Sequence, residues 1–420
     1  GLDLALPVYL NLAENYDATI TPRFLQKHGA MLETEGRYLD DSGEWTLSGA
    51  FLSNDKDRDR DRWLAALKKT SNENSRIQTN IDFTKVSDQD YFSDLGTAAL
   101  SLKRESHLNQ IAEISYTGHY LKTTLSSERY QTIGNVDEPY QRLPELVVER
   151  LNESIAYNIL PIAQLRYTEF DHKDAIRDGG TEITGNRLFI EAGAELPISR
   201  AWGSLTSTIK TRHLQYSIDN KHDSGFDEDP KVNSLLASVD GRLRFDRQLE
   251  FNDTGYTQTL EPRAVLLYAE HEDQVNNPDF DTTQLPFSYS QIFRESRFSG
   301  YDRLDDADQV ALGVTSRLID QNEGREILSA SLGRIQYFDD RRTRLPGVEI
   351  ETSRGSAFAA GLRYSPTASQ QLSSDILWDS HDEQIDQFGV NWHQSRTNTI
   401  INLGYSFRRF EDGSGLISSD

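Results

Sequence analysis

The feature of this sequence that most constrains its fold is an alternation of apolar and polar residues with a period of two, repeated along almost the whole chain. In residues 76–85, Ile77, Ile81 and Phe83 alternate with polar residues such as Asp82. Successive side chains of a β-strand point to opposite faces, so this pattern predicts a strand with one polar face. The same alternation predicts roughly 20 strands of about 9–12 residues, among them residues 235–246, 308–320 and 398–408.

Composition limits the remaining choices. The 420 residues contain no Gly-, Pro- or Ser-rich linker, so one large unit is favoured, and the helix-like run at 64–69 is too short to change the fold class. The 67 acidic residues outnumber the 44 basic ones, giving a net charge of −23, which argues against nucleic-acid binding. The absence of cysteine excludes disulfides within these residues. No apolar run approaches the roughly 18 residues that a membrane-spanning helix needs.

Two architectures can use such strands. A soluble sandwich or propeller buries the apolar faces in a shared core, whereas a membrane β-barrel turns them to lipid and keeps the polar faces around a lumen. No blade repeat is evident, which favours the barrel. So do the aromatic residues, which lie mostly near the ends of predicted strands, although aromatics are common in any strand: Trp45, Tyr120, Tyr167, Trp202, Tyr216, Tyr268, Tyr337, Phe338, Tyr364, Trp378, Trp392, Tyr405 and Phe407.

A polar segment that runs directly into the predicted strand 308–320 is a candidate site. Its arginines could bind phosphates or a partner's carboxylates, and its aspartate could hold one of them in place. A structural network within a lumen-facing loop is the favoured alternative, because buried loops must satisfy their polar groups in any case. The candidate residues are Phe293, Arg294, Arg297, Gly300, Tyr301, Asp302 and Arg303.

A second charged segment, residues 55–62, alternates acidic and basic residues. It fails as a calcium loop, because position six is Arg60 where glycine is required and position twelve is Ala66 where glutamate is required. We therefore expect a solvated loop of self-compensating charge. The nine histidines show no metal-ligand spacing, and no nucleophile or phosphate-binding motif is present. The sequence thus predicts no metal, no cofactor and no enzymatic activity.

Four blocks, spread over most of the chain, resemble the LptD family of lipopolysaccharide-assembly outer-membrane proteins, also called OstA or Imp. The resemblance implies a very large β-barrel in the outer membrane of a Gram-negative bacterium, which inserts lipopolysaccharide into the outer leaflet. The matching blocks are NYDATITPRFLQKHGAMLETEGRYL (15–39), TKVSDQDYFSDLG (84–96), GYTQTLEPRAVLLYA (255–269) and GYDRLDDADQVALGVTSRL (300–318).

The expected fold is therefore all-β, a large antiparallel transmembrane β-barrel that lacks its final strands in this chain. Residues 1–420 correspond to the outer-membrane β-barrel domain, and nothing in them matches the family's N-terminal periplasmic jelly-roll domain. The resemblance further implies a lipoprotein plug, LptE, a periplasmic bridge protein, LptA, bound through the absent domain, and contact with lipopolysaccharide and outer-membrane lipid. Nucleic acid is not expected as a partner.

Two prolines bear on mechanism. Pro7 and Pro22 fall within the first two strand-like segments, where each removes a hydrogen-bond donor. Either is compatible with an ordinary edge or bulge position. The resemblance implies that they loosen a lateral gate between the first and last strands, through which lipid leaves the lumen, and that the loop before strand 308–320 contacts the plug. A porin-like or ligand-gated channel and a soluble β-sandwich binding protein remain as alternatives.

Overall fold

The computed structural model describes residues 1–98, 100, 107–134, 137–151, 154–219, 229–251, 254–409 and 415–419. These residues form 23 β-strands, one short α-helix and three short 3-10 helices. The predicted fold class, a large all-β antiparallel structure, is confirmed. Among the described residues, no helix has both the length and the apolar character needed to cross a membrane.

The strands and helices have the following bounds. The strands of the first half are β1 (Asp3–Ala5), β2 (Val8–Ala13), β3 (Tyr16–Leu25), β4 (Gly29–Asp40), β5 (Gly43–Asp55), β6 (Arg60–Ser71), β7 (Ile77–Val86), β8 (His107–Thr117), β9 (Leu121–Thr132), β10 (Gln141–Arg150), β11 (Leu160–Asp171) and β12 (Gly185–Arg200). The remaining strands are β13 (Gly203–Ile218), β14 (Lys231–Leu243), β15 (Phe245–Phe251), β16 (Thr254–Ala269), β17 (Ala307–Asp320), β18 (Glu326–Tyr337), β19 (Phe358–Thr367), β20 (Gln370–Asp379), β21 (Gln384–Arg396), β22 (Thr399–Arg409) and β23 (Gly415–Ser419). The helix α1 is Tyr91–Asp94, and the 3-10 helices are Ala156–Asn158, Ile176–Asp178 and Gln291–Phe293.

The strand predictions agree closely with these bounds. The predicted segments 76–85, 308–320 and 398–408 correspond to β7, β17 and β22. The helix-like run at 64–69 lies inside β6, where pairing with both neighbouring strands overrides its weak helical preference. The predicted strand 235–246 is interrupted at Arg244, and the two pieces, β14 and β15, both pair with β16.

The chain divides into two compact units. Unit 1 comprises Gly1–Leu151, Ala163–Ile190 and Gln215–Pro230, and unit 2 comprises Asn152–Ile162, Glu191–Leu214 and Lys231–Asp420. In unit 1, antiparallel ladders join β3 to β10 in chain order, with β1 and β2 on the outer edge of β3. In unit 2, β16 to β23 pair in the same consecutive manner.

Connections of different length alternate at the two ends of the strands. In unit 1, residues 87–106 join β7 to β8, whereas only residues 41–42 join β4 to β5. In unit 2, residues 270–306 and 338–357 are long connections, whereas residues 368–369 and 397–398 are tight turns at the opposite end. Long connections at one end and short turns at the other are typical of outer-membrane β-barrels.

In unit 1, the two faces of the sheet differ. One face, which we call the covered face, packs against the segment that contains α1, and Tyr91, Phe92 and Leu95 join the buried cluster there. The opposite, open face exposes large apolar side chains, including Leu47, which is 64% exposed. Monomeric soluble proteins rarely leave a contiguous apolar surface of this kind uncovered.

The covered face of unit 1 also corrects one prediction. The segment 55–62 is not a solvated loop, because Asp55 and Arg62 are both fully buried and paired at 3.1 Å. Arg62 also contacts Asp88 at 2.7 Å and Asp94 at 2.9 Å. The alternation of side chains along β6 places Arg62 on the covered face. There it meets Asp88 and Asp94, which belong to the connection between β7 and β8. Only the turn 56–59 lies outside the two strands.

This cluster predicts a pH dependence of stability. Burial alone would raise the pKa of Asp88, but hydrogen bonds from Arg62 and Ser87 outweigh it and lower that pKa below its ordinary value of 3.8. The stabilisation is therefore complete above pH 3.8 and is lost as the pH falls through the lower, folded-state pKa. We expect Asp88→Asn to be less stable at neutral pH and to lose less stability on acidification, measured by unfolding in detergent between about pH 6 and about pH 3. Identical acid dependence in both proteins would contradict this.

In unit 2, the covered face carries the 270–306 connection, which we call the anchored loop. Ile292 of this loop is fully buried in a cluster with Val265, Ala311 and Ile335. The open face of the same strands exposes Leu312, with half of its surface accessible, and a series of similar side chains. That series includes Leu260, Leu266, Tyr268, Leu332, Leu362 and Tyr364. The predicted division of β17 into two different faces is thus confirmed.

Candidate functional site

The first candidate site is the start of unit 1, where the structure places the two predicted prolines beside each other. β1 and β2 are two pieces of one strand, interrupted at Leu6 and Pro7. Ala5 pairs with Arg23 before the break and Val8 pairs with Ile20 after it, so the register on β3 is unchanged. This register sets the break opposite Thr21 and Pro22. We call this pairing of β1 and β2 with β3 the proline seam.

Hydrogen bonding explains why the seam is weak. The N–H of Leu6 donates to the carbonyl of Pro22 at 3.0 Å, but Pro22 has no N–H to return the second bond of that pair. Successive N–H groups of a strand point to opposite edges, so the donor missing at Pro7 is on the edge away from β3. Each edge of the first strand thus loses one hydrogen bond: Pro7 has no N–H on the outer edge, and Pro22 of β3 has no N–H to bond to the inner edge. In the described part of the chain, β1 and β2 pair only with β3.

The side chains of this strand are also unusual. Leu2, Leu6, Val8, Tyr9 and Leu12 are each more than half exposed. A salt bridge of 2.6 Å between Asp3 and Arg23 fixes the start of β1. After the break, β2 offers apolar side chains without a covering element from its own unit, so this edge can contact an apolar molecule directly.

The second candidate site is the anchored loop of unit 2, which contains all seven residues predicted there. Asp302 and Arg303, which are almost completely buried, hold residues 278–281 of the loop. The Asp302 carboxylate accepts the backbone N–H groups of Phe280 and Asp281 at 2.9 and 2.8 Å. Arg303 donates to the carbonyls of Pro278 at 2.7 Å and Asp302 at 2.9 Å. These bonds close this part of the loop on itself and give the buried Asp302 carboxylate and Arg303 guanidinium their partners.

A buried ion pair joins the anchored loop to the next long connection. Arg297 contacts Asp305 at 2.7 Å and Asp306 at 3.3 Å, and it donates to the carbonyl of Thr343 at 3.0 Å. Asp306 in turn accepts the backbone N–H groups of Arg342 and Thr343, both at 2.9 Å. Burial raises the pKa of Asp305, and the adjacent Arg297 guanidinium opposes that rise. Loops 270–306 and 338–357 are thereby locked together.

Beneath this network, the loop rests on two glycines that face each other across β17 and β18. A Cβ on Gly313 would come within 2.6 Å of Phe293, and one on Gly333 within 2.5 Å of Ile292. Both contacts are closer than side-chain carbons permit, so a side chain at either position would force the loop residues Phe293 and Ile292 to shift. The guanidinium of Arg263 lies 4.0 Å from the centre of the Phe293 ring.

The remaining predicted residues of the loop differ in their surroundings. Gly300 has a φ of +70°, and a side chain there would meet Asp281 and Thr282. The N–H of Tyr301 lies 3.4 Å from Asp281. Arg294 is exposed at the surface of the loop, and its side chain makes no hydrogen bond or ion pair with the described residues. Of the predicted arginines, it is therefore the one left available for a partner.

Sequence reasoning missed the acidic partner of the central arginine. The sequence predicts that Asp302 holds an arginine, but the Asp302 carboxylate accepts backbone N–H groups, and Asp305 holds Arg297. It also missed the inward glycines as a seat for the loop. The available signal was the row of small residues Ala311 and Gly313 on one face of the strand, which indicates that something packs closely against it.

The chemistry of both sites is that of packing and binding. Within the ranges that the structure describes, no group of three or more metal-ligating side chains comes together. Most arginine and aspartate side chains of the anchored loop form structural contacts on the covered face. The open face consists mainly of exposed apolar side chains. The fold and sites thus define a class: an all-β antiparallel protein with, in each unit, one loop-covered face and one open apolar face.

Comparison with known proteins makes the class specific. Residues 60–416 match the family model LptD, described as LPS transport system D. The chain is 35% identical to the LPS-assembly protein LptD of Pseudomonas aeruginosa (strain UCBPP-PA14), over 99% of the chain and 51% of that protein. It is 36% identical to the LPS-assembly protein LptD of Saccharophagus degradans, over 97% of the chain and 51% of that protein.

The chain therefore belongs to the LptD family of lipopolysaccharide transport proteins. It spans about half the length of the curated relatives that it matches. The family resemblance predicted from the four sequence blocks is confirmed.

Proposed function

We propose that residues 1–420 form the outer-membrane β-barrel domain of a lipopolysaccharide translocon in a Gram-negative bacterium. The polar, loop-covered face borders the route of the saccharide, and the acyl chains leave sideways into the outer leaflet. Membership of the LptD family supports the substrate class, and the open apolar faces of both units support a lipid surrounding. No chemical step is required, because the substrate is moved and not altered.

The weak pairing in the proline seam is the observation that best supports a lateral exit for lipid. A strand that must open needs few ladder bonds, and each net hydrogen bond is worth about 0.5–1.5 kcal/mol. Pro22 weakens the inner edge of the first strand, and Pro7 weakens the edge on which a closing strand would pair. We propose that this strand separates from that partner to release lipid.

The anchored loop serves a different purpose in this proposal. Its buried network keeps it folded against the covered face, where it restricts the polar route. Exposed Arg294 is proposed as a contact for the lipoprotein plug LptE. Contact with the bridge protein LptA is proposed through a jelly-roll domain outside residues 1–420.

The seam predicts a specific defect when its donors are restored. We expect Pro7→Val with Pro22→Val to strengthen pairing by about 1–3 kcal/mol and to slow the arrival of new lipopolysaccharide at the cell surface at least several-fold. The measurement is surface labelling of newly made lipopolysaccharide in cells that produce the variant as their only LPS-assembly protein.

The control is Pro197→Val, which restores a donor inside β12, away from the seam. It should leave surface arrival unchanged. Normal arrival in the double variant, with the protein correctly folded, would rule out the gate. Ion conductance without any lipopolysaccharide transport would instead support the porin-like alternative.

A further inference from the structure

The open face of unit 2 contains a long apolar groove. It has a volume of about 860 Å³ and crosses the strands from β12 to β19. Its floor is set back where Gly241 pairs with Ala264, because neither residue fills the space with a large side chain. Leu243, Leu312 and Leu332 form its walls. The groove can therefore bind a hydrocarbon chain, because few polar groups line it.

Arg334 lies at one end of this groove, and Arg200 lies at the other. Arg334 of β18 is on the open face, directly opposite Leu312 of β17 in the strand register. Its guanidinium lies 4.6 Å from the centre of the Phe358 ring, and Phe358 stacks on Trp378 at 5.6 Å. Gly355 lies against the guanidinium at a spot where any side chain would displace it. The arginine is thus held in position by aromatic and backbone surfaces.

The Arg334 side chain lacks the carboxylate partners that Arg62 and Arg297 have. Arg62 and Arg297 each contact three carboxylates, whereas the side chain of Arg334 makes no hydrogen bond or ion pair with the residues that the structure describes. Its Nε atom is buried without an acceptor. A cation beside hydrocarbon is costly unless an anion completes the site, so an unpaired arginine on such a face marks a binding position.

The position of Arg334 along β18 indicates which kind of anion can reach it. β18 ends at Tyr337, three residues beyond Arg334, and the long connection 338–357 follows. Long connections of outer-membrane barrels lie on the extracellular side, so Arg334 lies near the outer-leaflet headgroups if the proposed membrane location holds. The Trp378 and Phe358 rings fit the aromatic girdle expected at that level.

We propose that the groove and Arg334 bind the phosphorylated lipid portion of a lipopolysaccharide molecule on the outer wall of unit 2, away from the proline seam. A phosphate accepts hydrogen bonds from the Arg334 guanidinium, and an acyl chain lies along Leu312 and Leu332. This inference rests on the proposed function for its membrane location. It adds a lipid-binding site on strands β16 to β19. A lipopolysaccharide molecule bound there would anchor the open face of unit 2 in the outer leaflet.

Purified protein in detergent micelles tests this site directly. Lipopolysaccharide or phosphatidylglycerol is added, and native mass spectrometry measures the bound lipid for the unchanged protein, Arg334→Gln and Arg334→Lys. We expect Arg334→Gln to require about tenfold more lipopolysaccharide for half occupancy, the loss expected when a charge-assisted hydrogen bond is removed. Arg334→Lys should be intermediate, because it keeps the charge without the planar fork.

Arg363→Gln is the matched control, because Arg363 is an exposed arginine on the other face of neighbouring β19. It should bind lipid like the unchanged protein. Equal lipopolysaccharide binding by Arg334→Gln would overturn the proposal. So would equally tight, Arg334-dependent binding of phosphatidylglycerol, or dependence on Arg200 at the other end of the groove in its place.

Failure of this site and failure of the translocon are distinguishable. Surface arrival of lipopolysaccharide in cells reports on the translocon, and the Arg334 dependence of binding in micelles reports on the groove. If Arg334→Gln weakens lipopolysaccharide binding in micelles but leaves surface arrival in cells normal, the groove is a resident lipid site that the translocon does not need. Formation of dimers through the groove in the absence of added lipid would reject a lipid occupant in favour of a second copy of the chain.

Discussion

Arg62→Ala is expected to destabilise the protein by about 3–5 kcal/mol, the typical cost of breaking a buried ion pair by removing one partner. Arg62 is fully buried and is the shared partner of Asp55, Asp88 and Asp94. Its removal leaves several carboxylates close together on the covered face of unit 1 without their central cation. The measurement is the free energy of unfolding of the purified protein in detergent, followed by heat-modifiable migration.

Arg58→Ala, in the turn that precedes β6, is the matched control. Arg58 contacts Asp94 at 3.0 Å and Asp90 at 3.4 Å, but its side chain is 38% exposed. Exposed pairs contribute at most about 1 kcal/mol, so its loss should be small. Similar effects of the two substitutions would show that the buried cluster does not hold the segment 87–98 on the sheet.

Asp305→Ala is expected to release the anchored loop. The carboxylate holds Arg297 at 2.7 Å and also accepts its backbone N–H at 2.6 Å, and Asp305 itself is almost fully buried. Loss of this partner should destabilise the closed loop by about 3 kcal/mol. We therefore expect cleavage within 270–306 by an added protease to accelerate by roughly a hundredfold, because opening precedes cleavage.

Asp339→Ala provides the comparison for this experiment. Asp339 pairs with Arg342 at 3.4 Å, and both side chains are about half exposed. Its removal should change the cleavage rate less than severalfold. If Asp305→Ala leaves the loop as resistant as before, the seat on Gly313 and Gly333 alone holds the loop, and the ion pair has no anchoring role.

Local patterns allowed most of the fold to be predicted from the sequence. Strand faces depend on a period of two, which Ile77 to Phe83 and Val310 to Leu318 display directly. The break at Arg244 was not predicted, because an irregularity in pairing depends on the neighbouring strand β16 and leaves no periodic signal in β14 itself. The placement of each strand could be inferred from its own residues, whereas the detail of its pairing could not.

The candidate sites were predictable to different degrees. Pro7 and Pro22 were identified from the sequence because proline has a fixed chemical consequence in a strand. Their adjacency required the register of β1 and β2 on β3. The segment 55–62 was misinterpreted, since nothing local shows that Arg62 will meet Asp88 and Asp94, which lie more than 20 residues further along the chain. Arg334 gave no signal at all, because its importance depends on what surrounds it in space.

The central claim is that lipopolysaccharide leaves beside the first strand, and the order of contact with newly made lipid tests it most directly. A photoreactive amino acid is placed at Leu6, in the proline seam, or at Leu125, on the exposed surface of β9. Cells are pulse-labelled for lipopolysaccharide and irradiated at successive times. The account predicts that labelled lipopolysaccharide cross-links at Leu6 before it cross-links at Leu125. Simultaneous labelling of both positions, or earlier labelling of Leu125, would contradict exit through the seam.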